Sequence, residues 1–251
     1  MKAKSLKIII VIFILFIIAG IVYGVTHNKK DEQQENKDIS YQTVDMITNI
    51  RLGISNFDSI HPYVTNNQEA IYIDQLIFEP LLSITEDYKV SECLAKEWSK
   101  IGDKTYVIKL NENIQWQDGS KFTAEDVKFS VTKLQSQTKS VYYSNVKNIK
   151  DVEVVDENTV RIELKQTEPF FEYNLIFPII SSKQYKSTSL NSNTIPLGTG
   201  QYKIAKIQID KIELSKNENW RNIDTENANI KTIYINLYDT RGKEYNAFKL
   251  G

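Results

Sequence analysis

Residue types able to make or break bonds are few in this chain. Two histidines, His27 and His61, and one cysteine, Cys93, stand among 251 residues. That supply is too small for a multi-cysteine metal centre, and a single cysteine excludes an internal disulfide. Asp118 and Asp126 could be set out as the acid and base of a glycosidase-like pair, but their neighbours give them other work. Asp118-Gly119 is a turn dipeptide, and Asp126 falls three residues after Thr123, where a carboxylate closes a capping box. His61, in Ser59-Ile60-His61-Pro62, has no nucleophile motif to serve and reads as a turn or surface residue. Cys93, next to Leu94 and near Trp98, reads as a buried, inert thiol. Gly198-Thr199-Gly200 lacks the lysine and spacing of a phosphate loop and marks backbone that needs close approach or unusual dihedrals. Tyr142-Tyr143, Trp116, Tyr63 and Trp220 could line a pocket or fill a core. With no nucleophile constellation and no ligand cluster, the chain reads as a binder that calls for no cofactor.

The elements that must position these residues are mixed α and β. Apolar residues alternate with polar ones at Val160, Ile162 and Leu164, at Ile212 and Leu214, at Ile233, Ile235 and Leu237, and at Tyr106, Ile108 and Leu110. Period-2 alternation predicts half-buried strands. Val152 and Val154 predict a shorter one, separated from the next by the turn Asp156-Glu157-Asn158. Helical spacing joins Ala70, Ile73, Leu76 and Ile77 ahead of Pro80, and again Ala124, Val127, Val131 and Leu134. The second helix has a written start: Thr123 at the N-cap, Asp126 at N3, and Phe122 with Val127 in the staple positions.

Lys and Arg total 31 against 32 for Asp and Glu, a formal net charge of -1. A near-neutral chain lacks the cationic surface that nucleic acid requires, so no nucleic-acid partner is expected. The run from Ile8 to Val25 carries no charge and follows Lys2, Lys4 and Lys7. As a helix it would rise about 27 Å, close to the hydrocarbon thickness, so it is expected to stay as a single-pass anchor. Val22 and Gly24 offer a cleavage pattern as the alternative, and no acylatable cysteine follows the run. Lys29 and Lys30 dilute the charge bias, yet the N-terminal lysines still outweigh them. The expected organisation is a cytoplasmic segment 1–7, an anchor 8–25, a polar spacer 26–43 and an extracellular domain 44–251.

Several stretches, taken in order, resemble the extracellular solute-binding proteins of family 5, which serve bacterial ABC importers of oligopeptides, dipeptides and related solutes. Leu76 to Leu82 (LIFEPLL) is similar to the family's "YEPLL", Leu94 to Trp98 to "LAesW", and Thr105 to Leu110 to "ytfkL". Trp116 to Val127 (WQDGSKFTAEDV) resembles the signature "fhDGtplTAeDV". Val154 to Leu164, Pro196 to Tyr202 (PLGTGQY) and Leu214 to Trp220 resemble "vvDdytvvitL", "PvGTGPY" and "leRNpdYw". His61 stands where the family has the aspartate of "LDP", and Gln201 where it has a proline. The resemblance runs from about Arg51 to the end of the chain.

The resemblance implies the class II periplasmic-binding-protein fold: two α/β lobes, the first with an inserted subdomain, closing on a solute between them. The motifs present are those of the first lobe, with Tyr245 to Gly251 resembling the helix that precedes the second. The function so implied is capture of a peptide or similar small solute, without chemical conversion, for an ABC permease and its ATPase subunits. Thr65, Asn66, Asn67 and Gln68 follow the "LDP" position and are expected to line the cleft wall, with Tyr142, Tyr143, Thr199 and Gly200 as further candidates. An oligopeptide, a dipeptide, nickel, a sugar or a pheromone all fit the family. The anchor in place of a lipoprotein cysteine suits the membrane of a Gram-positive bacterium. The alternative reading is a truncated, membrane-tethered half-receptor that binds no solute.

Overall fold

The computed structural model describes residues 47–190, 194–222 and 229–250. The expected anchor and spacer lie outside the described residues. Among the described residues no helix is long and apolar enough to cross a membrane.

The chain opens with strand β1 (Asn49–Ser55) and helix α1 (Gln68–Ile77), then a ribbon of β2 (Leu82–Ile84) and β3 (Val90–Glu92). Strands β4 (Ala95–Ile101) and β5 (Thr105–Leu110) lead to helix α2 (Ala124–Gln135), the short helix α3 (Tyr143–Val146), and strands β6 (Ile149–Asp156) and β7 (Thr159–Leu164). Helix α4 (Ser182–Tyr185), strands β8 (Tyr202–Ile207), β9 (Lys211–Lys216) and β10 (Thr232–Tyr238), and helix α5 (Arg241–Leu250) complete it. Two four-stranded sheets result, ordered β1-β10-β9-β8 and β4-β5-β7-β6.

The second sheet follows directly from the sequence. Its strands are antiparallel neighbours, β4 with β5 and β6 with β7 joined by short turns, and β5 with β7 meeting across the helices between them. Tyr106, Ile108 and Leu110 from β5 and Val160, Ile162 and Leu164 from β7 are all buried. Val127, Val131 and Leu134 of α2, which packs on β6 and β7, are buried with them. Each such side chain contributes about 1.5–3 kcal/mol of burial. On the open face charges pair across strands, Arg161 with Glu153 and Lys150 with Glu163. Exposed pairs of this kind add little stability. Strand β6 is longer than its pattern predicts, because register shifts between Ile149 and Asp151 and between Val154 and Asp156 break the alternation.

The first sheet depends on distant parts of the chain. β1 pairs in parallel with β10, Asn49 opposite Thr232 through Ser55 opposite Tyr238. Everything between is an excursion from one strand to its parallel neighbour, and the second sheet is built within it.

Helix α2 starts as its motif predicts, although Asp126 is the stronger partner. Its carboxylate accepts the Thr123 N–H at 3.0 Å, the Trp116 indole N–H at 3.3 Å and the Ser182 N–H at 2.8 Å. One buried carboxylate thus joins the turn before α2, the first turn of α2 and the start of α4. Trp116 itself begins a tight turn rather than ending a strand: Gly119 takes a left-handed φ of 79° and donates to the Trp116 carbonyl at 2.8 Å.

Candidate functional site

In sheets with parallel strands, ligands are held in the crevice beyond the carboxyl ends of those strands. Here those ends are Ser55 of β1 and Tyr238 of β10. The chain leaves β1 through Asn56, whose φ is 53° and whose N–H donates to the Tyr238 carbonyl at 3.0 Å. Asp58 then folds the following loop around itself, accepting the Ser59 N–H at 2.7 Å, the Asn66 N–H at 2.8 Å and the buried Thr65 hydroxyl. Asn67 is the N-cap of α1. Its Oδ1 accepts the N–H groups of Glu69 and Ala70 at 2.9 and 3.0 Å, while its Nδ2 donates to the carbonyls of Ser55 and Asn56 at 2.7 and 3.0 Å. Thr65 and Asn67 therefore use their side chains to hold the loop, and the exposed side chains are those of Asn66 and Gln68.

Glu69 ties this corner to α5. It accepts the Ser55 N–H at 2.9 Å and pairs with Arg241 at 3.0 Å. Burial works to raise its carboxyl, but the Ser55 N–H and the Arg241 guanidinium outweigh it and hold it below the usual carboxylate range. A groove of about 990 Å³ runs alongside, lined by Arg51, Glu69, Tyr238, Arg241 and Glu244 among others.

The other candidates meet α1 further along. Gly200 donates its N–H to the Ile77 carbonyl at 2.9 Å, closing the carboxyl end of the helix. A Cβ on Gly198 would stand 1.8 Å from that carbonyl oxygen, and one on Gly200 would stand 2.6 Å from the Leu76 oxygen. Close approach is what requires these glycines, since neither has a left-handed φ. Thr199 is buried between them, with its hydroxyl oxygen unpartnered. Tyr142 and Tyr143 are half-buried at the start of α3. Burial, and then the charge of Asp74 on α1, push the Tyr142 phenol up to about 12. The structure thus distributes the sequence candidates along α1, over about 15 Å of helix, and brings only residues 65–68 together.

The family model for bacterial extracellular solute-binding proteins, family 5 Middle, matches residues 89–251. The chain belongs to this family. The glutathione-binding protein GsiB of Salmonella typhi is 31% identical over 155 residues, covering 60% of this chain and 30% of that protein. The protein of the same name from Escherichia coli K12 is 30% identical over the same length and share. The family 5 chain thus spans about 30% of the length of the curated relatives it matches. Among solved structures, NikZ from Campylobacter jejuni in complex with Ni(L-His) superposes with a TM-score of 0.71 at 26% identity, over 81% of this chain and 42% of that one. The oligopeptide-binding protein AppA from Bacillus subtilis, in complex with a nonapeptide, shares the fold at a TM-score of 0.66 and 18% identity, over 76% of this chain and 40% of that one. The fold is that of the class II periplasmic binding proteins.

Within this family 5 domain the residues that could have done chemistry are accounted for by structure. Asp118 accepts the Ser120 N–H at 2.9 Å and pairs with Lys183 at 3.3 Å. Burial works to raise its carboxyl, but Ser120 and Lys183 prevail and hold it low. His61 opens the expected turn, its carbonyl accepting the Val64 and Thr65 N–H groups at 2.9 and 3.0 Å, but it is not at the surface. It is 2% exposed, accepts the Tyr63 N–H on Nδ1 at 3.1 Å, and packs edge-on against the Tyr185 ring. Burial, with a smaller contribution from Lys133, lowers its pKa to about 3. The Cys93 thiol is pushed up to about 11, first by burial and then by the charge of Glu79.

Sequence reasoning passed over Glu79, the acidic residue within LIFEPLL. It is 8% exposed, and both carboxylate oxygens lie 2.6 Å from Nη1 of Arg221, while the Trp220 indole donates to Oε1 at 3.3 Å. The pair binds the segment after α1 to the segment after β9, far apart along the chain. A charge between apolar residues inside a motif was the available signal, because a carboxylate at a buried position demands a partner.

Proposed function

We propose that this domain forms one wall of a solute cleft and captures a peptide or similar small solute for an ABC importer, without chemical conversion. The observation that carries the reading is the loop from Asn56 to Gln68. Asp58 and Asn67 hold it in one form at the carboxyl ends of β1 and β10, and it presents the side-chain amides of Asn66 and Gln68 outward. Amides both donate and accept, which suits the backbone groups of a peptide regardless of its side chains. Asn66 and Gln68 act through their side chains, and Tyr142 and Tyr143 through their ring edges. Thr65, Asn67, Thr199 and Gly200 shape the wall from behind.

The names of the relatives support a binder: glutathione for GsiB, and a nonapeptide in the AppA complex. Residues 8–25 anchor the domain 44–251 outside the membrane, beside a permease and its ATPase subunits. The opposing wall of the cleft corresponds to the part of the relatives that this chain does not match. Because pocket sites bury 70% or more of a ligand, a single wall holds peptides no better than about millimolar. Calorimetric titration of the full chain in detergent with a mixed peptide library tests this. Weak heats that vanish in the Asn66→Ala, Gln68→Ala double variant support the reading, and recovery of cleaved peptides after incubation counts against it. The complete absence of heats with every peptide would count against solute capture by this wall.

A further inference from the structure

The middle of α1 holds a group that neither the fold nor the solute wall uses. Asp74 is fully buried, and neither carboxylate oxygen has a hydrogen-bond partner. It sits one residue after buried Ile73 and shares the inward face of the helix with Ala70 and Ile77. An ionised carboxylate in such a place is strongly destabilising, whereas a neutral acid is tolerated.

Among the described residues no cation pairs with it. The charge that acts on it is that of exposed Asp58, which itself holds the loop through the Ser59 N–H, the Thr65 hydroxyl and the Asn66 N–H. Tyr142, before α3, and Tyr185, in α4, are the other titratable groups that feel Asp74, and burial raises both phenols so that they stay neutral. His61 shares the Tyr185 ring and is neutral at ordinary pH, and the cation that faces it is Lys133 of α2.

We propose that Asp74 enters the fold as a neutral carboxylic acid, and that loss of its proton loosens the packing around α1, because neither oxygen has a donor and the side chain has no access to water. This is a property of the fold and does not rest on the solute reading above. Burial, with a smaller contribution from Asp58, raises the Asp74 carboxyl well above its ordinary value. Between the ordinary value and that raised value the unfolded chain has released a proton that the folded chain keeps, so stability falls as pH rises.

The test is urea unfolding of the full chain in detergent from pH 4 to pH 9, for the wild type and Asp74→Asn, with hydrogen exchange of peptides covering α1, residues 68–77. The contribution of His61 is common to both proteins and cancels in the difference. The wild-type folding constant is expected to fall relative to the variant by up to tenfold per pH unit, with faster exchange in α1. Parallel pH profiles would overturn the proposal. Carboxyl-carbon NMR of aspartate-labelled wild-type protein decides if the variant does not fold: an Asp74 signal still protonated at pH 6 supports the proposal, and one titrating near 4 overturns it. Neither readout depends on solute, so failure of peptide binding leaves the result interpretable.

Discussion

The two sheets of this domain both bury apolar faces but differ in their joints to the rest of the chain. In β4-β5-β7-β6 the two outer pairings are hairpins, the buried face packs on α2, and the charges sit outside in exposed pairs such as Lys109 with Glu97. β1-β10-β9-β8 buries Ile54, Ile212, Leu214, Ile233 and Ile235 in the same way, but around it the joints are polar groups and bare backbone: Glu79 with Arg221, the Asn67 cap, and glycines against the Ile77 carbonyl. The first kind of region tolerates change because burial is shared among many side chains. The second adds to its apolar face a few contacts that allow no substitute, and it is the one beside the proposed solute wall.

The contrast is tested most severely at Gly198. A methyl group there would overlap the Ile77 oxygen, so Gly198→Ala is expected to cost about 3 kcal/mol or more, seen as loss of the cooperative unfolding transition. The next effect comes from acid. The unfolded imidazole binds a proton below about 6.5 and the folded one only near 3, so stability is complete above 6.5 and declines as pH falls toward 3, by roughly 4–5 kcal/mol in all. His61→Phe should remove most of that acid slope, as followed by tryptophan fluorescence. Asp126→Ala is expected to cost about 3 kcal/mol in denaturant melts, because it strips an acceptor from three N–H groups. Thr123→Ala should cost only about 0.5 kcal/mol, since the Thr123 N–H that Asp126 accepts is retained. The smallest effect belongs to the tolerant sheet, where Glu97→Gln should change stability by less than about 0.5 kcal/mol.

The same contrast explains what the sequence could reveal. Val160, Ile162 and Leu164, and the stripe Val127, Val131 and Leu134, announce themselves because a half-buried element writes its period into neighbouring residues. The start of α2 was legible for the same reason, since Phe122, Thr123, Asp126 and Val127 lie side by side. Strand β6 was read as too short, because its register shifts interrupt the period. The parallel pairing of β1 with β10 leaves no local trace, nor does the pairing of Glu79 with Arg221, as both join residues far apart in the chain. At His61 the turn was legible but its burial was not, because a turn sequence says nothing about which rings will close over it. At the proposed solute wall, the order of motifs pointed to residues 65–68. Their division into holders and exposed amides is set by the carboxylate of Asp58 and the carbonyls of Ser55 and Asn56, and only the folded chain shows it.

The central claim is that the exposed amides of this loop meet solute. Side-chain amide NMR of the ¹⁵N-labelled chain, titrated with a mixed peptide library at millimolar concentration, tests it directly. The Asn66 and Gln68 amide signals should move with added peptide, while those of Asn111 and Asn217, which donate internally to the carbonyls of Cys93 and Gly200, stay still. Unmoved Asn66 and Gln68 signals, with shifts confined to other parts of the domain, would contradict the account.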